Sequence, residues 1–259
     1  MKQLTFLIFS TFFSLVMVGQ TAMTKKYDIP GFVQINDTLY ISKYEVSIRD
    51  YANFLLYLNQ KTKDTVKLNK CLPNPNFTDW TMWSSFSKKL IKYDDYLLSI
   101  IDTSITFTSL LGNFPVVNVD KSQANDFCKF KGFDYNVFYQ NLNPKKKKSY
   151  PENIVFRLPT SNEWTKIANT PFEDQTVISK EFFYKDTTGQ SMPLQVFQGC
   201  LNSLEIYNMT GNVAELVSDN DNVYGGSFKE TIENCNSKSS RKFILGDNAT
   251  GFRVVAIIK

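Results

Sequence analysis

Three places along this chain join a helix-start signal to an apolar periodic run, and the segments between them are short apolar pieces, prolines and turns. That pattern suggests a single α+β domain with much irregular backbone. Residues 40–46 alternate and read as a strand, after which Ser47 opens a helix with Tyr51, Phe54, Leu55 and Leu58 on one face. Residues 116–120 read as a second short strand, and Ser122 caps a helix from Gln123 to Lys131 that buries Ala124, Phe127 and Cys128. Phe156-Arg157-Leu158-Pro159-Thr160 leads into a third helix, with Thr160 or Ser161 ahead of Glu163 in a capping-box start. A β-rich run from Gly251 to Ile258 closes the chain. No internal repeat or domain-splitting linker interrupts it.

Two long connections stand out. Residues 60–112 are irregular, with Pro73, Pro75, Trp80, Trp83 and a cluster from Tyr93 to Tyr96, and a connection of that length is an insertion or a functional surface. Residues 134–153 read as a polar loop whose tip holds Lys145, Lys146, Lys147 and Lys148. That run could bind anionic partners, but it is read as a solvated loop tip, because nothing around it is aromatic or helical by pattern.

The composition narrows the chemistry. There is no histidine among the 259 residues, which excludes Ser-His-Asp and Cys-His hydrolysis, HExxH zinc peptidases and two-His-carboxylate iron sites. A formal charge of +4 argues against a nucleic-acid binder. Thiol, carboxylate or lysine chemistry and oxygen-ligand cations survive.

Residues 1–22 read as an export signal: Lys2, an apolar stretch from Leu4 to Val18, then small residues to Ala22. The apolar stretch, roughly 15 residues, falls short of the about 20 that a membrane span needs. The mature domain is thus expected at residues 23–259, periplasmic or secreted, with no stable membrane span after cleavage. Residues 1–25 hold no cysteine to accept a lipid. Cys71, Cys128, Cys200 and Cys235 all fall in the exported part, as disulfides of open connectivity or as buried thiols.

Arg157 and Arg253 sit inside apolar runs and need partners if buried; Glu45, Glu163 and Glu215 are the candidates. Gly225-Gly226 suits positive φ or a close backbone approach.

Six blocks then occur in a recognisable order: Tyr44-Glu45-Val46-Ser47, Phe114-Pro115-Val116-Val117-Asn118-Val119, Phe156-Arg157-Leu158-Pro159-Thr160-Ser161-Asn162-Glu163-Trp164, Tyr207-Asn208-Met209-Thr210-Gly211-Asn212-Val213-Ala214-Glu215, Tyr224-Gly225-Gly226-Ser227-Phe228 and Gly251-Phe252-Arg253. Together they resemble the formylglycine-generating enzyme family, also called sulfatase-modifying factors, over essentially the whole mature chain. The resemblance implies a C-type-lectin-like α+β fold.

It also implies a calcium ion held by Asn208, Gly211, Val213 and Glu215, chemically reasonable because calcium takes carbonyl and carboxylate oxygens. The alternative is that Asn208 and Glu215 satisfy backbone hydrogen bonds without a metal. Family oxidases carry two cysteines five residues apart after the Gly-Gly-Ser-aromatic block, which bind copper(I) as a pair. Here the first thiol position is Glu230 and the second is Cys235, so copper is not expected, and the Glu230 charge should raise the Cys235 pKa. Ser227 matches the family's active-site serine but has no evident base. The cleft Trp of the family is Ala214, and a family cysteine after Gly-Phe-Arg is Val254. The family's iron branch needs histidines that do not exist here.

The pattern is closest to non-catalytic gliding-motility and type IX secretion members of the Bacteroidetes, with a comparable aromatic insertion. The expected function is a binding or cell-envelope assembly module for a protein or glycan partner. The alternative is a formylglycine-generating oxidase acting on a sulfatase cysteine through Cys235, alone or with Cys71 or Cys200 brought near it.

Overall fold

A computed structural model of the chain describes residues 27–73, 111–171, 184–185, 191–245 and 247–259. Strands β1 (Phe32–Gln34) and β2 (Leu39–Ser42) form a hairpin. Helix α1 (Ile48–Tyr57) runs into a π-helical turn over Leu58–Thr62 and is followed by α2 (Thr65–Cys71). Next come α3 (Lys121–Gln140), α4 (Pro144–Lys147), β3 (Ile154–Arg157) and α5 (Ser161–Ala168). The short strands β4 (Tyr184–Lys185) and β5 (Ser191–Met192) pair with each other. The last third is β6 (Ala214–Leu216), β7 (Asn222–Tyr224), a 3-10 turn at Ile232–Asn234, β8 (Ser240–Lys242), β9 (Thr250–Gly251) and β10 (Val255–Ile258).

Two four-stranded sheets organise these elements, in the orders β1-β2-β10-β3 and β8-β7-β6-β9. The C-terminal strand β10 lies between β2 and β3 and is antiparallel to both, which brings the two ends of the domain together. Parallel pairing of β6 with β9 places Glu215 opposite Gly251, two residues before Arg253.

Local chemistry explains the helix starts. Ser47 and Asp50 form a reciprocal capping box at α1, and Thr160 and Glu163 form another at α5. The expected Ser122 cap is corrected: Asp120 caps α3 with Gln123 as its box partner. An Asp with Gln three residues on satisfies the first-turn amides as well as a Ser does. The side chain of Gln123 also donates to the carbonyls of Lys70 and Leu72, tying α3 to the end of α2.

The core buries the predicted face of α1 against α3, with Tyr51 stacked on Phe127 at 5.9 Å and Phe54 edge-on to the same ring. The Tyr51 hydroxyl donates to the Cys71 carbonyl at 2.7 Å, so burying that ring leaves no orphan polar group.

Other expectations change. The strand expected over 40–46 ends at Ser42, where the Ser42 hydroxyl donates to the Tyr44 carbonyl and the chain turns. Residues 116–120 form no strand, the chain turning at Asn118 with φ 64°. The stretch 60–112 opens with the π-helical turn and α2 instead of irregular chain, while Trp80, Trp83, Tyr93 and Tyr96 lie outside the described residues. The polar loop expected over 134–153 is largely helix, since α3 continues to Gln140 and Asn143 caps α4. Residues 1–22 also lie outside the description, and among the described residues no helix is long and apolar enough to cross a membrane.

Replacing Asp120 with Ala removes the α3 cap. The urea midpoint should fall by the equivalent of about 1 kcal/mol with the denaturant slope unchanged.

Candidate functional site

The segment from Tyr207 to Glu215 turns by left-handed residues, Asn208 at φ 52°, Gly211 at φ 78° and Asn212 at φ 56°, before entering β6. Asn and Gly tolerate that region, so the turn needs no tertiary force to adopt it. It delivers Glu215, wholly buried, onto Arg253, also wholly buried. Arg253 Nε donates to both carboxylate oxygens at 2.8 and 2.7 Å, and Nη2 donates to Oε1 at 2.6 Å. Trp164 Nε1, from α5, completes the carboxylate at 2.7 Å. The same guanidinium donates to the carbonyls of Ser42, Tyr207 and Asn208 at 3.3, 2.9 and 3.3 Å. One arginine therefore joins β2, the 207–215 turn and β6.

A second buried carboxylate lies nearby. Glu45 accepts from Asn212 Nδ2 at 2.9 Å and from Asn208 Nδ2 at 3.4 Å. Burial pushes its pKa up to about 8; Arg253 opposes that rise and the Glu215 charge adds to it. Glu45 therefore carries a proton at neutral pH, and one guanidinium serves two carboxyl groups with one negative charge between them.

These residues can be tested against calcium. Asn208 Oδ1 fits, being a buried oxygen with no hydrogen-bond partner. It lies so close to the backbone that a Cβ on Gly199 would approach it to 2.3 Å, which is why that position is glycine at φ 95°. Glu215 does not fit, because Arg253 and Trp164 engage both of its oxygens and a divalent cation there would face the guanidinium. Gly211 and Val213 lie on the same turn as backbone carbonyls. The set as it stands is built around an arginine.

The thiol region lies at the next turn. Gly225 and Gly226 have φ of 94° and 72°, and a Cβ on Gly226 would come within 2.5 Å of the Asn234 carbonyl and 2.8 Å of Cys235 Sγ. Glycine is required there so that residues 234–235 can pack onto the strand end. Cys235 is buried, and its thiol donates to the Ser227 carbonyl at 3.5 Å. Burial, with the Glu230 charge second, pushes the Cys235 pKa up to about 12, so the sulfur stays a neutral thiol. Ser227 is fully buried, and its hydroxyl accepts weakly from the Lys229 amide at 3.4 Å. Cys71 and Cys128 are also buried thiols, pushed up to about 11 and about 12 by burial, and Cys200 is buried too.

Glu230 does not face the sulfur alone. It accepts from Arg241 Nε at 2.9 Å, and Arg241 Nη2 continues to Asp247 at 2.5 Å and to the Thr250 hydroxyl at 3.3 Å. An open cleft of about 410 Å³ lies over this group, lined by Gly226, Glu230, Asn234, Lys238 and Arg241. Sequence reasoning missed Arg241 and Asp247. An arginine in the polar run Ser240-Arg241-Lys242 looks like any solvated edge strand, and only the β7–β8 pairing turns it toward Glu230. Elsewhere Arg157 makes a two-pronged pair with Glu163, at 2.7 and 2.6 Å, which ties β3 to the first turn of α5.

With this geometry in place, the comparisons with known proteins are direct. The model of the sulfatase-modifying factor enzyme 1-like domain matches residues 12–258, and the chain belongs to that family. Among solved structures, CarF is similar over 90% of this chain and 95% of its own, with 17% identity and a TM-score of 0.50. Treponema denticola variable protein 1 is similar over 90% of this chain and 93% of its own, with 15% identity and a TM-score of 0.48. PvdO from Pseudomonas aeruginosa is similar over 56% of this chain at 17% identity and a TM-score of 0.41, and this chain spans 63% of its length. No curated protein sequence matches. The family match and the likeness to CarF carry the fold, which is the C-type-lectin-like α+β architecture that the six blocks imply.

Two outcomes follow for the buried network. Arg253→Met leaves Glu215 buried without its cation and should cost about 3–5 kcal/mol in urea unfolding, whereas Arg157→Met, at a half-exposed pair, should cost well under half of that. Glu45 sets a pH dependence of definite sign. Its folded pKa of about 8 lies above the unfolded value of about 4.3, so its contribution is full below the unfolded value and is lost as pH rises through 8. Between those limits Glu45→Gln should unfold with a flatter pH profile than the wild type; an identical slope would refute the assignment.

Proposed function

We propose that this chain is an exported, non-oxidising member of its family that uses the lectin-like scaffold to hold a protein or glycan partner in the cell envelope. The observation that carries this reading is Glu230 at the first thiol position, held by Arg241, beside a Cys235 that burial keeps protonated. Copper(I) needs thiolate ligands, and a carboxylate engaged by an arginine is not a soft donor. The cleft over this group is polar, with Glu230, Lys238 and Arg241 on its walls, which suits recognition through charged and hydrogen-bonding contacts.

The N-terminal sequence supports export through residues 1–22 to the periplasm or outside, and the aromatic residues of 60–112 support kinship with the gliding-motility and type IX secretion members. In that setting the 207–215 turn is a structural latch, with Arg253 holding the Glu215 carboxylate.

Titration of the reduced protein with copper(I) against a competing chelator, followed by oxygen consumption with a Cys-x-Pro-x-Arg peptide, tests the reading. No tight copper binding and no oxygen uptake above the protein-free rate are expected. Oxygen uptake coupled to loss of the peptide thiol would establish the oxidase instead. Pull-down from cell-envelope material should recover a partner that Arg241→Ala, in the cleft wall, releases.

A further inference from the structure

The chain just before β1, the turn from Ser42 to Val46, the first turn of α1 and the middle of α3 enclose a pocket of about 250 Å³ that shares no residue with the Cys235 cleft. Phe32, Val46, Phe127 and Val254 make its apolar wall. Gly31 lines it too, at φ 77°, and a Cβ there would meet no described atom within 4 Å. The backbone around the pocket is bonded without help from a ligand. Lys43 donates its amide to the Gly31 carbonyl, Ser42 to Val254 and Val46 to Phe252, each at 2.9 Å. The Ser42 hydroxyl accepts from the Val254 amide at 3.2 Å and donates to the Tyr44 carbonyl at 2.8 Å. A wall with its polar groups already satisfied is preformed and offers few partners to ordered water, so it favours an apolar body.

Two charges of opposite sign line the same pocket. Asp50 is exposed; its Oδ2 accepts from the Ser47 amide and hydroxyl, at 3.3 and 2.7 Å, and its Oδ1 has no hydrogen bond among the described residues. Lys131 stands one turn beyond Phe127 on the same face of α3. It pairs with Asp134 at 3.6 Å, with both side chains partly in water, and such a pair exchanges partners at little cost. The remaining charged residue type on the wall is Glu45, which burial keeps protonated at neutral pH, so the Asp50 and Lys131 charges balance.

We propose that this pocket binds a free α-amino acid with an apolar side chain, its ammonium group on Asp50, its carboxylate on Lys131 and its side chain against Phe127 and Val254. The volume matches that class, since it equals the liquid volume of roughly eight waters and holds one small molecule. The charges match it as well. A simple amine would leave Lys131 without a new partner and a simple carboxylic acid would leave Asp50 without one, whereas a zwitterion uses both. Because the pocket and the Cys235 cleft have no residue in common, the assignment stands whether or not that cleft is catalytic.

Calorimetric titration of the protein, as recovered from the producing cell, with L-leucine and L-phenylalanine tests this. Each should bind at a single saturable site, and L-serine, which lacks the apolar body, should not. Isoamylamine and isocaproate keep the leucine side chain with one charge each, and both should bind more weakly than leucine by on the order of tenfold. Asp50→Asn and Lys131→Gln should each weaken leucine binding by a similar factor. Lys131→Gln should leave isoamylamine binding unchanged, and Asp50→Asn should leave isocaproate binding unchanged. Neither position is buried, and unchanged circular dichroism establishes that the variants fold. No saturable heat with either apolar amino acid, an amine or acid that binds as tightly as leucine, or charge variants that bind leucine like the wild type would overturn the proposal.

Discussion

The contact between Arg253 and Glu215 is the constraint on which the rest of the domain depends. Both groups are wholly removed from water, and neither could stay charged there without the other. Their pairing fixes β9 beside β6 and, through the carbonyls of Ser42, Tyr207 and Asn208, sets the distance between the two sheets' connecting turns. Trp164 adds α5 to the same carboxylate. A fold with only ten short strands among its described residues has little ladder hydrogen bonding to specify its geometry, so a multidentate ionic knot supplies specificity that regular structure does not.

How far the sequence shows this depends on the range over which each signal acts. Helix starts act within four residues, so Ser47 with Asp50 and Thr160 with Glu163 can be read directly, as can the buried face of α1. That Arg253 needs a carboxylate is legible, because a charged residue in an apolar run demands a partner, but which of Glu45, Glu163 and Glu215 supplies it is not. The end of α3 is not legible: Gly132 lies in the middle of that helix, and the polar residues after it mimic a loop. The helix persists because Tyr135 is buried, packs on Phe156 at 5.8 Å, and bonds through its hydroxyl to the Pro151 carbonyl. Tertiary packing decides what propensity leaves open there. Arg241 and Asp247 are hidden for a related reason, since their roles depend on strand pairing between residues far apart in sequence.

In the cleft, backbone shape and charge are set by different residues. Gly225 and Gly226 allow residues 234–235 to close on the strand end, and Ser227 is buried beneath them. Glu230 and Arg241 set the charge. A carboxylate five residues before the sulfur disfavours a thiolate, and Arg241 then neutralises that carboxylate and anchors it through Asp247 and Thr250. Burial and the Glu230 charge together outweigh the Ser227 contact and hold the sulfur as a thiol under a polar wall.

A chain without histidine has no side chain that titrates near neutrality by its intrinsic chemistry. Glu45 comes near to filling that gap, because burial beside the same knot pushes its pKa up to about 8. One guanidinium can compensate one buried carboxylate fully; the second, held by the amides of Asn208 and Asn212, has neutral donors only and so retains its proton. Adding a negative charge there by raising the pH loads the centre of the domain, where Asn208, Asn212, Glu215 and Arg253 meet. The element that gives the fold its specificity is therefore also the element through which alkaline pH acts on it.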